Sequence, residues 1–212
     1  EYPLVSILIP SHNRFRFLMN AVDSIYNQNY ENIEIIIIND CSTEEEYYTH
    51  KFSRDVIKID LDKNQKEEIG FISAGHIRNF GLEKAKGKYV ATLDDDDIWL
   101  PGKLLKQVKL LENSENKMCS TEGFIGKGVY DQNKSYLLYN KERFFERIAK
   151  KHKKNIFSSI KNFSFPKVFD FDFLKIHNSI ITSSVLVEKD LLTFIGGFRP
   201  FPSLDDYAPD YD

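Results

Sequence analysis

Only two cysteines occur among the 212 residues, Cys41 and Cys119. They are too few for a disulfide scaffold and fit no metal-binding spacing, which points to a reducing, cytoplasmic setting. No apolar run approaches the roughly 18 residues needed to cross a bilayer. Charge of one sign is not in excess: 29 Lys+Arg stand against 32 Asp+Glu, a net −3, so the chain lacks the charge of a nucleic-acid binder and no nucleic-acid partner is expected. There is no internal repeat and no low-complexity linker. The opening Glu1-Tyr2-Pro3 carries no basic-then-apolar leader, so no secretory signal is read there and a trimmed start is expected. The last residues, Tyr211-Asp212, fall in an acidic, aromatic segment with no closing helix, the pattern of a piece of a longer protein. What is abundant is bulky apolar side chain, with 42% hydrophobic residues, 17 Phe and 11 Tyr, enough to bury one sizeable core. The expectation is a single domain spanning residues 1–212.

Hydrophobic periodicity places the elements. Val5 to Ile9 reads as a buried strand halted by Pro10, and Ile33 to Ile38 as a central parallel strand bounded by Asn39-Asp40-Cys41-Ser42-Thr43. Between them Phe17, Leu18, Ala21, Val22 and Ile25 recur at helical spacing over Arg16 to Gln28. Val56 to Leu61 reads as a third strand, Ser73 to Lys86 as a helix, and Lys88 to Leu93 as a fourth strand opening onto Asp94 to Asp97. This order predicts an α/β fold with a mostly parallel, Rossmann-like central sheet and right-handed crossovers. Ligands of such sheets gather beyond the carboxyl ends of the strands, where Ser11 to Arg14, Asn39-Asp40 and Asp94 to Asp97 fall. Further on, Leu104 to Leu111 reads as a helix, Met118 to Gly128 contains a strand, Phe144 to Lys161 has helical spacing, and Ile180 to Val187 reads as a strand before the Gly196-Gly197 turn.

Four consecutive aspartates repel one another and gain most from a cation among them, with hard oxygen donors favouring Mg²⁺ or Mn²⁺ over zinc. A solvated acidic helix start is the competing reading. Asp40 fits either a turn cap or a carboxylate facing a nucleotide base or ribose. Arg78 fits either a solvated helix face or a guanidinium aimed at phosphate, with Gly81, Ala85 and Gly87 letting its helix approach the sheet. His177 fits a structural role or the lining of an acceptor site. The Lys150 to Lys154 run fits a solvated face or contact with anionic lipid.

Four segments, in order, carry a resemblance: Val5-Ser6-Ile7-Leu8-Ile9-Pro10-Ser11-His12-Asn13-Arg14, Glu34 to Thr43, Arg78-Asn79-Phe80-Gly81, and Gly87 to Asp97. Together they resemble the family 2 glycosyltransferases over about half the chain. The resemblance implies a GT-A fold, a nucleotide-diphosphate-sugar donor with UDP-sugar favoured, a divalent metal (Mn²⁺ or Mg²⁺), and inversion at the anomeric carbon. It implies a nucleotide-sugar-binding half over residues 1–100 and an acceptor-binding half over 101–212. Asp40 is similar to the base-binding aspartate, Pro10, Asn13 and Arg14 to the loop beside it, and Arg78 to the arginine near the phosphates. Asp94 and Asp95 stand where donor contacts fall, and Asp94, Asp96 and Asp97 where metal ligands fall, with Asp96 or Asp97 the direct one. The family's general base follows a Gly-Gly-Phe turn. Here Gly196-Gly197-Phe198 precedes both Asp205-Asp206-Tyr207 and Asp210-Tyr211-Asp212, so Asp206 is the first choice and Asp210 the second.

The implied partners are a nucleotide-diphosphate sugar and a saccharide or lipid-linked acceptor of cell-surface polysaccharide synthesis, with peripheral contact at the inner face of a membrane. The richness in Lys, Asn and Ile is of a bacterial, AT-rich kind. Two other classes compete. A sugar nucleotidyltransferase needs a glycine-rich phosphate loop, and Pro10-Ser11-His12-Asn13-Arg14 has no glycine. A nucleotide-sugar-binding module without turnover predicts donor binding and no hydrolysis.

Overall fold

Alternation along two strands sets the two faces of the sheet. In the computed structural model, which describes residues 2–152 and 163–200, β1 (Val5–Ser11) is buried at every position. Val5, Ile7 and Ile9 point into one apolar cluster and Leu8 into the other. The first cluster is closed by Leu18, Ala21, Val22 and Ile25 of α1 (Phe15–Tyr26). β2 (Ile33–Asn39) alternates in the same way, with Ile35 and Ile37 on the first face and Ile36 and Ile38 on the second. Each such side chain, fully buried, contributes roughly 1.5–3 kcal/mol.

Two short helices, α2 (Glu46–Thr49) and α3 (Gln65–Ile69), flank β3 (Val56–Asp60). The sequence reading contained neither, because four or five residues carry no periodicity. Helix α4 (Ala74–Lys84) follows, capped by the Ser73 hydroxyl, which accepts from His76 N–H at 3.2 Å. It packs close to the second face: a Cβ on Gly81 would come within 2.8 Å of Ile38 Cδ1. Strand β4 (Tyr89–Thr92) pairs parallel to β1 on the side away from β2.

Proline 10 does not end β1, contrary to expectation; it is paired in register with Ile38. In β1 the odd residues bond toward β2, as Val5 N–H to Asn32 O and Asp40 N–H to Ser11 O show, so the even residues face β4. The β4 pairing stops at Leu8, and the N–H that Pro10 lacks would have no strand to serve.

Helix α5 (Lys103–Glu112) adds Leu104, Val108 and Leu111 to the first cluster. The sheet is completed by β5 (Met118–Cys119) and, much later in the chain, by β8 (Leu186–Glu188), giving the order β3-β2-β1-β4-β8-β5. The four strands β1 to β4 are parallel, and β8 is antiparallel to both neighbours. The expected strand over Ile180 to Val187 is thus mostly something else: Thr182–Ser184 form a 3₁₀ turn, where a Ser184 hydroxyl bonded to Ile181 O competes with extended pairing. Helix α8 (Lys189–Phe194) closes the second face with Leu192.

The chain divides into two compact units, residues 1–119 with 185–212, and residues 120–184. In the second, β6 (Phe124–Ile125) and β7 (Leu137–Leu138) form an antiparallel pair. The Glu122 carboxylate accepts from Asn140 N–H and Lys141 N–H, each at 3.1 Å. Helix α6 (Phe145–His152) and helix α7 (Phe171–Ile176) meet through His152 stacked on Phe173, centroids 4.1 Å apart.

Lys103 makes a testable contribution to stability. Its ammonium lies 3.8 Å from the Trp99 ring centroid and donates to Gln107 Oε1 at 2.8 Å. Burial lowers its pKa from 10.5 to about 7, against a smaller opposing pull from Cys119. Folding therefore expels a proton between these values, and this group's contribution becomes more favourable as pH rises from 7 to 10.5. Lys103→Met removes that slope: the melting temperature of the variant minus that of the wild type is expected to be more positive at pH 6 than at pH 10. A difference independent of pH would refute the assignment.

Candidate functional site

Parallel strands deliver their carboxyl ends to one edge of the sheet, and three loops meet there. The first follows β1. Asn13 adopts φ +52°, a left-handed backbone that Asn tolerates better than most residues. Its Oδ1 accepts from Thr43 N–H at 2.6 Å, Thr43 Oγ1 at 3.2 Å and Glu44 N–H at 3.3 Å. Asn13 N–H in turn donates to Ser42 Oγ at 2.9 Å. The β1 and β2 loops are therefore stapled side by side. Helix α1 starts without a cap of its own, and the Glu44 carboxylate supplies one by accepting from Phe15 N–H at 2.8 Å.

Asp40 follows β2 and is 6% exposed. Its Oδ1 accepts from Gln65 N–H at 2.8 Å and its Oδ2 from Asn64 Nδ2 at 3.2 Å, so the carboxylate pins the start of α3. Its backbone carbonyl lies 2.6 Å from His12 Nδ1. Burial raises the Asp40 pKa, opposed by the Gln65 hydrogen bond and by His12 and His76.

The third loop follows β4, and its aspartates separate into distinct environments. Asp95 points inward: Oδ2 accepts from Ser11 Oγ at 2.7 Å, and Oδ1 lies 3.5 Å from Arg14 Nη1. Burial pushes its pKa up to about 6; the Ser11 bond and Arg14 oppose this, and Asp96 and Asp94 add to it. Since Ser11 gives its proton to Asp95, the Tyr47 hydroxyl donates to Ser11 Oγ and accepts from Arg14 N–H at 3.1 Å. Asp96 turns outward and meets Arg14 Nη1 at 2.6 Å, both side chains about half exposed (50% and 53%). An ion pair that open holds only about 0–1 kcal/mol and exchanges partners readily. Asp94 pairs with Arg78 of α4, whose side chain is 6% exposed. Arg78 Nε is buried without a hydrogen-bond partner, a cost that an added acceptor would remove.

Most of the sequence-derived residues thus come together here: Pro10 on β1, Asn13 and Arg14 after it, Asp40, Arg78, and Asp94 to Asp97. Three do not. His177 belongs to the second unit, at the end of α7, where burial first and then Lys151, Arg147 and His152 lower its pKa to about 4. Asp206 and Asp210 lie outside the described residues. Sequence reasoning missed the buried Tyr47 and the caps from Glu44 and Asn64. Asn64 before Gln65-Lys66-Glu67-Glu68 carried a readable helix-start signal; Tyr47, joined to Ser11 only through space, carried none.

The donor set suits a hard divalent cation. Asp94 and Asp96 offer partly exposed carboxylates, and the turn is drawn tight by Asp97 N–H bonded to Asp94 O at 3.1 Å. Among the described residues no group of three or more His, Cys, Asp or Glu converges on one point. Mg²⁺-like ions are commonly bound through one or two carboxylates, with water and substrate phosphates as the other ligands.

The sequence model of glycosyl transferase family 2 matches residues 6–170. The chain belongs to this family.

Among its relatives is WcaA of Escherichia coli (strain K12), named for colanic acid biosynthesis as a glycosyl transferase, 32% identical over 162 residues that make up 73% of this chain and 54% of that protein. A glycosyltransferase of Rickettsia bellii (strain RML369-C) is 39% identical over 110 residues, 52% of this chain and 15% of the relative. The chain spans about half or less of the length of these family members. The mannosyltransferase PcManGT from Pyrobaculum calidifontis, solved with GDP-Man and Mn²⁺, superposes with a TM-score of 0.58 over 94% of this chain and 48% of that one, at 16% identity. The fold is therefore GT-A, as the sequence resemblance implied.

Proposed function

We propose that the chain is the donor-binding part of a metal-dependent, inverting glycosyltransferase that moves a sugar from a nucleoside-diphosphate sugar to a saccharide or lipid-linked acceptor of a cell-surface polysaccharide. The observation that carries the reading is the arrangement at the carboxyl ends of β1 and β4, where Arg14 and Arg78 each hold a carboxylate of the Asp94 to Asp96 turn. Family membership adds the reaction class, and the relative named for colanic acid synthesis adds the product class.

Charge dictates the roles. As the bond between sugar and phosphate breaks, negative charge grows on the departing nucleoside diphosphate, and groups oriented in advance toward that charge lower the barrier most. Arg14 and Arg78 are the cations in place. Asp94 and Asp96, with Asp97 beside them, would hold Mn²⁺ or Mg²⁺, whose contribution when bound is to neutralise diphosphate charge. The loops joined by Asn13, together with Asp40, form the wall facing the nucleoside, and uracil is the base we assign. Asp206, with Asp210 as the second choice, is the general base that takes the acceptor hydroxyl proton. We place the reaction in the cytoplasm at the inner membrane face. No described helix is long and apolar enough to cross a membrane; the basic last turn of α6, with Lys150 and Lys151, is the contact we assign to anionic lipid.

Calorimetric titration of UDP and of GDP, each with and without Mn²⁺, tests the donor site. UDP binding that requires Mn²⁺ is the expected result. A folded protein that binds neither nucleotide would overturn the proposal. Asp206→Asn should leave UDP affinity unchanged and abolish transfer; full activity would pass the base role to Asp210.

A further inference from the structure

Helix α4 does more than present Arg78. The next residue, Asn79, faces the turn that follows α8 and bonds it at both backbone groups: Nδ2 donates to Phe198 O at 2.8 Å, and Oδ1 accepts from Phe198 N–H at 2.8 Å. A side-chain amide satisfying the donor and the acceptor of one distant residue works like an added step of β-ladder, and it is directional. The chain is shaped for this approach. Gly196 and Gly197 adopt φ +83° and +81°, a region costly for residues with a Cβ. A Cβ on Gly197 would lie 2.6 Å from Asn79 Oδ1, and one on Gly75, also on α4, would lie 3.0 Å from Arg199 O. Phe198 adds its ring to the cluster that holds Ile77 of the same helix.

We infer that Asn79 is a positioning residue that fixes the turn at Gly196-Gly197-Phe198 relative to the donor arginine. The inference rests on the glycosyl-transfer reading above. One rigid helix holds, through adjacent side chains, the Asp94 carboxylate at the end of β4 and the turn from which the acidic segment of residues 205–212 departs. A shift of about 1 Å between reacting groups is enough to cost on the order of a hundredfold in rate. Loosening the turn should therefore lower turnover while leaving the binding of nucleotide alone untouched.

The test uses the full chain with Asn79→Ala and, separately, Gly197→Ala, which attacks the same contact from the other side. Three quantities are read: UDP affinity with Mn²⁺ by calorimetry, turnover of UDP-sugars (transfer to water in the absence of acceptor), and amide hydrogen exchange of the peptide around Phe198. The expected result for both variants is UDP affinity within about twofold of wild type, turnover down at least about tenfold, which is 1.4 kcal/mol, and faster exchange confined to that peptide. Asn79→Asp, which keeps an acceptor for Phe198 N–H and loses the donor to Phe198 O, should fall between. Faster exchange with unchanged turnover would overturn the inference, as would a loss of UDP affinity equal to the loss of turnover. A wild-type protein that neither binds UDP or GDP nor turns over their sugars would instead overturn the glycosyl-transfer reading on which the inference rests.

Discussion

Asp96→Ala is expected to reduce UDP affinity measured with Mn²⁺ to the level measured without it, a loss of about tenfold or more, equal to 1.4 kcal/mol per factor of ten. Asp95 is turned inward onto Ser11, and Asp94, though partly exposed, is paired with an Arg78 that is itself buried. Asp96 is half exposed, and its partner Arg14 is equally exposed, so its carboxylate can change partners at little cost. Removing it also frees Arg14. Arg14→Met supplies the control: it should weaken UDP binding by a similar factor with and without Mn²⁺, since a guanidinium acts on phosphate directly. Calorimetry of both variants under both conditions separates the two roles. Affinity and Mn²⁺ dependence unchanged in Asp96→Ala would move the metal to other carboxylates.

Gly87→Ala is expected to cost about 3 kcal/mol of stability, the upper range for overfilled packing, and to lower the melting temperature by roughly 6–12 °C. Gly87 sits just before β4, and a Cβ there would lie 2.7 Å from Ser6 N, 2.7 Å from Ser6 Oγ and 2.8 Å from Leu4 O. Two of these atoms are backbone of β1 and its entry, which cannot rotate away. A buried polar chain runs through the same point: Gly87 N–H donates to Ser6 Oγ at 2.8 Å, Ser6 Oγ to Glu34 Oε1 at 2.5 Å, and Lys86 N–H to the same Glu34 oxygen at 2.6 Å. Moving the loop to make room breaks bonds among groups that are buried or half-buried. Gly102→Ala is the contrast, with φ +79° but nothing within 4 Å, so only backbone strain of about 1–2 kcal/mol is expected. Thermal unfolding followed by circular dichroism compares the two, and equal small shifts would refute the steric argument.

What was legible in the sequence is what has periodicity. β1, β2 and α1 each bury one face or both over five or more residues, and the apolar pattern marks them to within two residues. The three polar clusters at the carboxyl ends followed from strand order alone. β5 and β8 were legible only as strands somewhere within Met118 to Gly128 and Ile180 to Val187, because strands of two and three residues are defined by each other rather than by local pattern. Pro10 misled because the rule for proline assumes strands on both sides, and β4 stops short of it. The four aspartates showed their charge in sequence, yet their division into inward, paired and exposed roles depends on Ser11, Arg14 and Arg78 arriving from three other elements.

The late arrival of β8 has a further consequence. Residues 120–184 leave the sheet just after β5, and the chain returns just before β8, two strands paired directly at Cys119 and Leu186. The excursion is thus a closed loop whose two ends are fixed neighbours. Its entropic cost grows only with the logarithm of its length, about 0.6 kcal/mol for each doubling. Because the β5–β8 pairing holds both ends, a change in the length of this stretch is expected to cost the sheet little beyond that closure entropy.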